Sequence, residues 1–309
     1  MKKIAVVMGG PSTEREVSLR SGAAIYKALQ EKGFNVMPLE LNPSTFIQDL
    51  KDNQIDFVYN TVHGKFGEDG ILQGTLDMIG IGYTGSDVLA SSLTWDKSIC
   101  KNIFVAKNIP TPRYAIYHRF DYKTRDLYQE ILEEFTLPIV VKAPKSGSSI
   151  GVFIVEDGKS LETSLSEVFK LDDKVLIEEF IRGREFTVPV WDVAGQVETM
   201  PIIEITTTTG RYDYDTKYTK GASSHIFNSA PKEMADRINK IAILVYKTLD
   251  LRGLARIDFM VSWSGVVNVI EVNTAPGMTE TSLVPDAAKA MGISFEDLCA
   301  KIVTSCGIE

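Results

Sequence analysis

Histidine and cysteine are scarce in these 309 residues, and the scarcity removes several kinds of chemistry. The histidines are His63, His118 and His225, too scattered for a histidine-built metal centre. The cysteines, Cys100, Cys299 and Cys306, match neither a zinc pattern nor a disulfide framework, which points to a reduced, cytoplasmic setting. No run of ~20 apolar residues occurs, so no membrane span is expected. The opening Met1–Gly10 carries too short an apolar stretch for a secretory signal and reads as a first β-strand. Positive charge is also in short supply. The formal net charge of −8 leaves no electrostatic footprint for nucleic acid or an anionic membrane. Any polyanionic ligand must be met by local lysines and arginines. Two nucleotide fingerprints are missing too: no G-x-G-x-x-G follows the first strand, and no G-K-[ST] completes a P-loop.

What is present is ordinary soluble-protein composition, 44% hydrophobic and 24% charged, in a chain long enough for two or three domains. Over residues 1–95 strand-like and helix-like patterns alternate. Strands are expected at Lys3–Met8, Asn35–Leu39 and Asp56–Val62, and helices at Val17–Lys32, Pro43–Asp52 and Ile71–Ile79. Such alternation predicts a parallel sheet. Thr13-x-x-Glu16 reads as a capping box, which leaves Glu14 free for another task. A second unit, 96–182, reads as α+β. Its helices are expected at Lys97–Lys107, Tyr122–Phe135 and Leu161–Lys170, and its strands at Pro138–Lys142, Val152–Val155 and Lys174–Glu179. A third unit, 183–309, is expected to hold strands Glu185–Val193 and Val197–Ile205, a hairpin, and helices Glu233–Asp250 and Phe295–Thr304. Between its strands, 206–224 is polar and aperiodic and reads as a lid or as disorder.

The hairpin is the most informative feature. Strand-like runs Gly253–Ser262 and Val266–Val272 flank the turn dipeptide Ser264-Gly265. A two-residue loop sets Asp258 opposite Glu271 and Arg256 opposite Asn273. Two carboxylates and an amide oxygen on one face suit Mg²⁺ or Mn²⁺ holding a nucleotide's phosphates. The alternative is a solvated face carrying an Asp–Arg pair. Lys142 ends the apolar run Ile139–Lys142 and needs a negative partner, and the Gly/Ser loop Ser146–Gly151 after it can approach phosphate closely. The hydrophobic run ending in Glu178, Glu179, Phe180 and Ile181 suits adenine, with Glu185 for a ribose hydroxyl, and equally suits an edge strand with exposed acids. His63 lies at a strand end and reads either as a carboxylate contact or as a turn histidine. Lys217 and Tyr218 fit a closing lid or an exposed loop.

Taken together, these residues resemble the ATP-grasp enzymes, and closely the D-alanine–D-alanine ligases, over nearly the whole chain. The segments are Gly9-Gly-x-Ser-x-Glu14-Arg-Glu-Val-Ser18, His63-Gly-x-x-Gly-Glu-Asp-Gly70, Lys142 with Gly147-Ser-Ser-x-Gly151, and Arg256-x-Asp258 with Glu271-x-Asn273-Thr-x-Pro-Gly-Met278. The resemblance implies a three-domain ATP-grasp architecture of mixed α/β and α+β class with a Rossmann-like N-terminal parallel sheet. It implies ATP as co-substrate and two Mg²⁺ (or Mn²⁺) ions held by Asp258, Glu271 and Asn273. Lys97, Lys142, Glu178–Ile181, Glu185 and Lys217 would bind ATP. Glu14, Ser148 and Tyr218 would form a hydrogen-bonded triad, with Glu14 on the ammonium of the first D-alanine. Arg256 and the N–H of Gly277 would stabilise the oxyanion. Val17, His63, Ser282 and Leu283 would face D-alanine. The implied reaction is ATP-dependent formation of D-alanyl-D-alanine through D-alanyl phosphate, for peptidoglycan synthesis, by a cytoplasmic homodimer with no nucleic acid or membrane partner. Tyr218 implies an amine nucleophile and hence a dipeptide. Lys145-Ser146 stands where many relatives have Arg-Glu. The rivals are an ATP-grasp ligase for another amino or hydroxy acid, and a non-catalytic nucleotide sensor on the same fold.

Overall fold

The computed structural model describes residues 2–193, 195–207 and 223–308. Its elements form three sheets. The first is β1 (Ile4–Met8), β2 (Val36–Glu40), β3 (Phe57–Asn60) and β4 (Gly82–Tyr83), in the order β2-β1-β3-β4 and all parallel. Helices α1 (Arg15–Glu31), α2 (Phe46–Asp52) and α3 (Ile71–Ile79) connect them. Every residue of β1 is buried, as its unbroken apolar run requires. The capping box does not form. Glu14 itself is the N-cap residue of α1 and makes no side-chain cap bond, while Glu16 pairs with Arg15 on the surface.

Helices α4 (Val88–Trp95) and α5 (Lys97–Ala106) lead to the second sheet. It comprises β5 (Tyr114–His118), β6 (Ile139–Lys142), β7 (Val152–Val155) and β8 (Lys174–Glu179), antiparallel in the order β5-β8-β6-β7. Strand β8 is therefore interior, and the edge-strand reading of its acids fails. The helix expected over Tyr122–Phe135 is two helices, α6 (Arg119–Thr124) and α7 (Leu127–Glu134). Arg125 is extended, and the Asp126 carboxylate accepts the Gln129 N–H at 3.2 Å to start a new helix. Helix α8 (Gly158–Leu171) covers this sheet, whose core holds Ile139, Val141, Leu165, Val168 and Ile177.

The third sheet runs β12 (Ser223–Phe227), β11 (Ile203–Thr207), β9 (Gly183–Val193), β13 (Leu254–Ser262), β14 (Val267–Asn273), with β10 (Gln196–Thr199) also on β9. The strand expected over Val197–Ile205 is thus interrupted at Met200-Pro201, where proline offers no ladder N–H. The ends of the segment read as loop, Thr206-Thr207 and Ser223-Ser224, pair with one another as strand. Helix α9 (Lys232–Thr248) packs on the face carrying Phe186, Val188, Ile257, Phe259 and Val261. Burying each such side chain contributes ~1.5–3 kcal/mol. Helices α10 (Leu283–Ala290) and α11 (Phe295–Thr304) close the chain. They share one core with β1, α1 and β3, so the end of the chain packs on its beginning.

The hairpin register is as expected, Asp258 opposite Glu271 and Arg256 opposite Asn273, but by another route. The loop has three residues, Trp263-Ser264-Gly265, with Val266 and Ser262 bonded across it and Gly265 at φ 83°. That shifts the pairing by one at Phe259–Val261. A β-bulge after Asp258 shifts it back.

Candidate active site

The end of β3, the turn before α1, the 145–151 loop and the end of β14 converge on one cleft. Its walls carry Glu14, Val17, His63, Lys97, Ser148, Arg256, Glu271, Asn273 and Gly277. Nine side chains or backbones expected in the site thus meet, from positions up to 263 residues apart in the chain.

Glu14 is 7% exposed and accepts a hydrogen bond from the Ser148 hydroxyl. Two members of the expected triad are therefore in contact across the two units. Lys217 and Tyr218 lie outside the described residues. Ser148 and Ser149 sit at φ 49° and 61°, left-handed conformations that cost ~1–3 kcal/mol each and persist only where surroundings over-determine them. Gly147 explains part of that. A Cβ there would stand 2.4 Å from Glu14 Oε2, so the loop reaches the carboxylate only as glycine.

His63 is 6% exposed. Its Nδ1 lies 3.0 Å from the Ala275 carbonyl, which can only accept, so Nδ1 carries the proton. Burial acts to lower its pKa, but Glu68, Glu14 and the Ala275 carbonyl outweigh it and hold the imidazole above its ordinary value of 6.5. Glu68 also accepts the Gly64 N–H at 2.9 Å. It lines the cleft, yet it entered the sequence reading only as a letter of its motif. Trp95 and Thr94 line the cleft as well, and nothing in the sequence pattern singled them out for it.

Asp258 is 9% exposed, and Arg256 grips it with Nε at 2.9 Å and Nη2 at 2.7 Å. Thr187 donates to Oδ1 at 2.5 Å and the Asn273 amide to Oδ2 at 3.1 Å. The Asp–Arg pair of the alternative reading does form, but not on a solvated face. Glu271 pairs with Lys97 at 3.4 Å, and Lys97 also donates to the Ser146 carbonyl at 2.7 Å. Each carboxylate of the patch already has a cation beside it, as two opposed acids require. Among the described residues no three His, Cys, Asp or Glu side chains gather as a metal site, so the Asn273 oxygen would have to complete this one. Two carboxylates and an amide oxygen are hard donors that fit Mg²⁺ or Mn²⁺.

Beside the cleft, Glu178 is 1% exposed and forms ion pairs with both Lys101 and Lys142. Burial opposes its ionisation, and the two lysines more than offset that, holding it below the usual carboxylate range. Glu179 is exposed, and Phe180 and Ile181 are half-buried. Glu185 shares a sheet face with Asp258 through the pairs Met260–Glu185 and Asp258–Thr187. Ser282 begins α10 at the rim, where a Cβ on Gly277 would lie 3.0 Å from its hydroxyl. Leu283 points instead into the core shared by α10 and α11, 5% exposed.

A strand-end lysine on a buried glutamate and a helix-start lysine beside two opposed carboxylates, at a cleft between a parallel sheet and two antiparallel ones, define the ATP-grasp class of enzyme. Residues 103–304 match the family model for the D-Ala–D-Ala ligase C-terminus, and residues 3–52 and 42–86 that for its N-terminus. The chain is 46% identical to a D-alanine–D-alanine ligase of Carboxydothermus hydrogenoformans over 97% of each chain, and 44% identical to that of Moorella thermoacetica over 97% of this chain and 98% of the relative. Among solved structures it resembles the Bacillus anthracis D-alanine–D-alanine ligase complexed with ATP (TM-score 0.85, 36% identity, 99% and 97% covered). It also resembles the VanG D-Ala:D-Ser ligase of Enterococcus faecalis (TM-score 0.83, 29% identity, 99% of both covered). The chain belongs to the D-alanine–D-alanine ligase family, and it is an enzyme of that kind. Among the described residues no helix is long and apolar enough to cross a membrane.

Proposed function

We propose that this chain joins two molecules of D-alanine, using ATP, to give D-alanyl-D-alanine for peptidoglycan precursors in the cytoplasm. The observation that carries the reading is the meeting of Glu14, Arg256, the Gly277 backbone and the Lys97–Glu271 patch in a single cleft. A carboxylate is a poor acyl donor. Phosphoryl transfer from ATP converts the first D-alanine to D-alanyl phosphate, which the amine of the second attacks, releasing phosphate. Catalysis is then chiefly positioning and charge neutralisation.

Glu14, held by Ser148, takes the ammonium of the first D-alanine. Val17 packs beside it and His63 supplies positive charge to a substrate carboxylate. Arg256 and the Gly277 N–H face the developing oxyanion, where losing one such donor costs ~3–4 kcal/mol. Ser282 borders the second D-alanine, with Leu283 packed in the core behind it. Lys97, Lys142 and Lys217 meet the phosphates, Glu178–Ile181 the adenine and Glu185 the ribose. Asp258, Glu271 and Asn273 would hold two Mg²⁺ or Mn²⁺ ions, which when bound neutralise phosphate charge. Tyr218 completes the triad and favours an amine over a hydroxyl nucleophile. The same reading takes 1–95, 96–182 and 183–309 as three domains around this cleft, with 206–224 as its lid.

Phosphate release measured with ATP and single amino acids tests it. Release is expected only when ATP and D-alanine are both present. Better turnover with L-alanine, D-lactate, or a D-alanine and D-serine mixture would overturn the assigned specificity. No turnover with any amine would favour a nucleotide sensor.

A further inference from the structure

Lys101 is as deeply buried as Glu178, 1% exposed, and lies outside the roles assigned above. It projects from α5 onto Glu178 of β8. Its Nζ also donates to Thr111 Oγ1 at 2.6 Å, and Thr111 donates to the Val269 carbonyl at 2.9 Å, which fixes the ammonium from behind. Lys142 approaches the same carboxylate from β6, on the opposite side and at the more open edge, its side chain 10% exposed against 1% for Lys101. Helix and strand are strapped a second time by Lys174 of β8 on Asp96, the N-cap of α5, at 2.7 Å. So one buried carboxylate carries two lysines, and among the described residues only the inner one is also bonded to a hydroxyl behind it.

We propose that Lys101 is a positioning residue, the permanent counter-ion of Glu178, whose presence releases Lys142 to reach the nucleotide's phosphates. The charge balance requires some such partner. With Lys101 in place, departure of Lys142 leaves a paired Glu178. Without it, the same movement strands a buried carboxylate, a state costing several kcal/mol. Lys142 then stays on Glu178 and the phosphates lose a cation. The inference rests on Lys142 being a phosphate ligand.

Steady-state kinetics of the full-length Lys101→Met, Glu178→Gln, Lys142→Met and Lys101→Met/Glu178→Gln variants test it. Lys101→Met is expected to raise KM for ATP ~10-fold or more, with KM for D-alanine changed less than about twofold. Adding Glu178→Gln removes the charge that needed Lys101, so the double variant should return to within about threefold of Glu178→Gln alone. The pH profile supplies a readout that mere loss of packing would not move. The titratable groups facing Glu178 are Lys101, Lys142 and, across the strand register, Tyr114. Burial raises Tyr114 above its ordinary 10.0, so it stays neutral near pH 7. Wild-type KM for ATP should be flat there, because Glu178 is ionised throughout. In Lys101→Met the carboxylate titrates higher, and KM for ATP should fall as pH is lowered and Glu178 takes up a proton.

Equal rises in both KM values, a flat pH profile, or no rescue in the double variant would overturn the role. An unchanged KM for ATP in Lys142→Met would instead overturn the phosphate-ligand reading, a separate failure. Should Lys101→Met not fold, the double variant against Glu178→Gln decides: KM for ATP within about threefold supports the role and a tenfold rise ends it.

Discussion

At the scale of single residues, the cleft depends on close approach as much as on charge. Gly147 illustrates this. A methyl group there would meet the far end of Glu14, which can swing aside at little cost to the fold but not without leaving the Ser148 hydroxyl. Gly147→Ala is therefore expected to raise KM for D-alanine ~10–100-fold, the equivalent of ~1–3 kcal/mol, with little change in melting temperature. Titration kinetics alongside a thermal melt check it, and a large loss of stability with an unchanged KM would contradict the argument. Residue types told less elsewhere. Glu178 and Glu179 are neighbours of one kind, yet one is sealed between two lysines and the other exposed. Strand alternation separates them, but only the sheet order decides which face is closed.

At the scale of elements, periodicity located β1, α3, β8 and α11 well, because each is long or uniformly patterned. It missed α4, β4, β5 and α10, short elements whose apolar residues face partners far along the chain. It also merged α6 with α7 and β10 with β11, since a capping aspartate and a single proline outweigh an otherwise continuous pattern. The hairpin is the sharpest case. Its register was readable from the turn dipeptide, but a three-residue loop and a compensating bulge produce it. Gly265 bears the left-handed position of that loop, with nothing within 4 Å of a Cβ built on it. Gly265→Ala should cost ~1 kcal/mol in a urea titration and leave kcat unchanged, since strain there is local. Loss of activity would mean that the turn helps to set the Asp258–Glu271 register.

At the scale of the molecule, α10 and α11 bury their apolar faces in the same core as β1 and α1, and Lys32 bonds Asp297 at 2.6 Å across that junction. The surface of α3 and α4 leaves Met78 75%, Leu89 65% and Ile71 48% exposed, apolar area that the described residues do not cover. A homodimer, which the family resemblance implies, would offer it a partner. Light scattering should return about twice the chain mass of 34.2 kDa, and a value near 34.2 kDa itself would overturn the dimer. The sequence by itself determined the chemistry. The glycine loops, the Arg256-x-Asp258 and Glu271-x-Asn273 pairs and the strand-end Lys142 are local signals, each written within a few residues. Only the tertiary structure decided which of them share a cleft and which cation holds which anion. Glu14 reaching Ser148, Arg256 clasping Asp258 and Lys101 standing behind Glu178 are contacts between distant segments or across a strand face, set by packing and burial rather than by spacing.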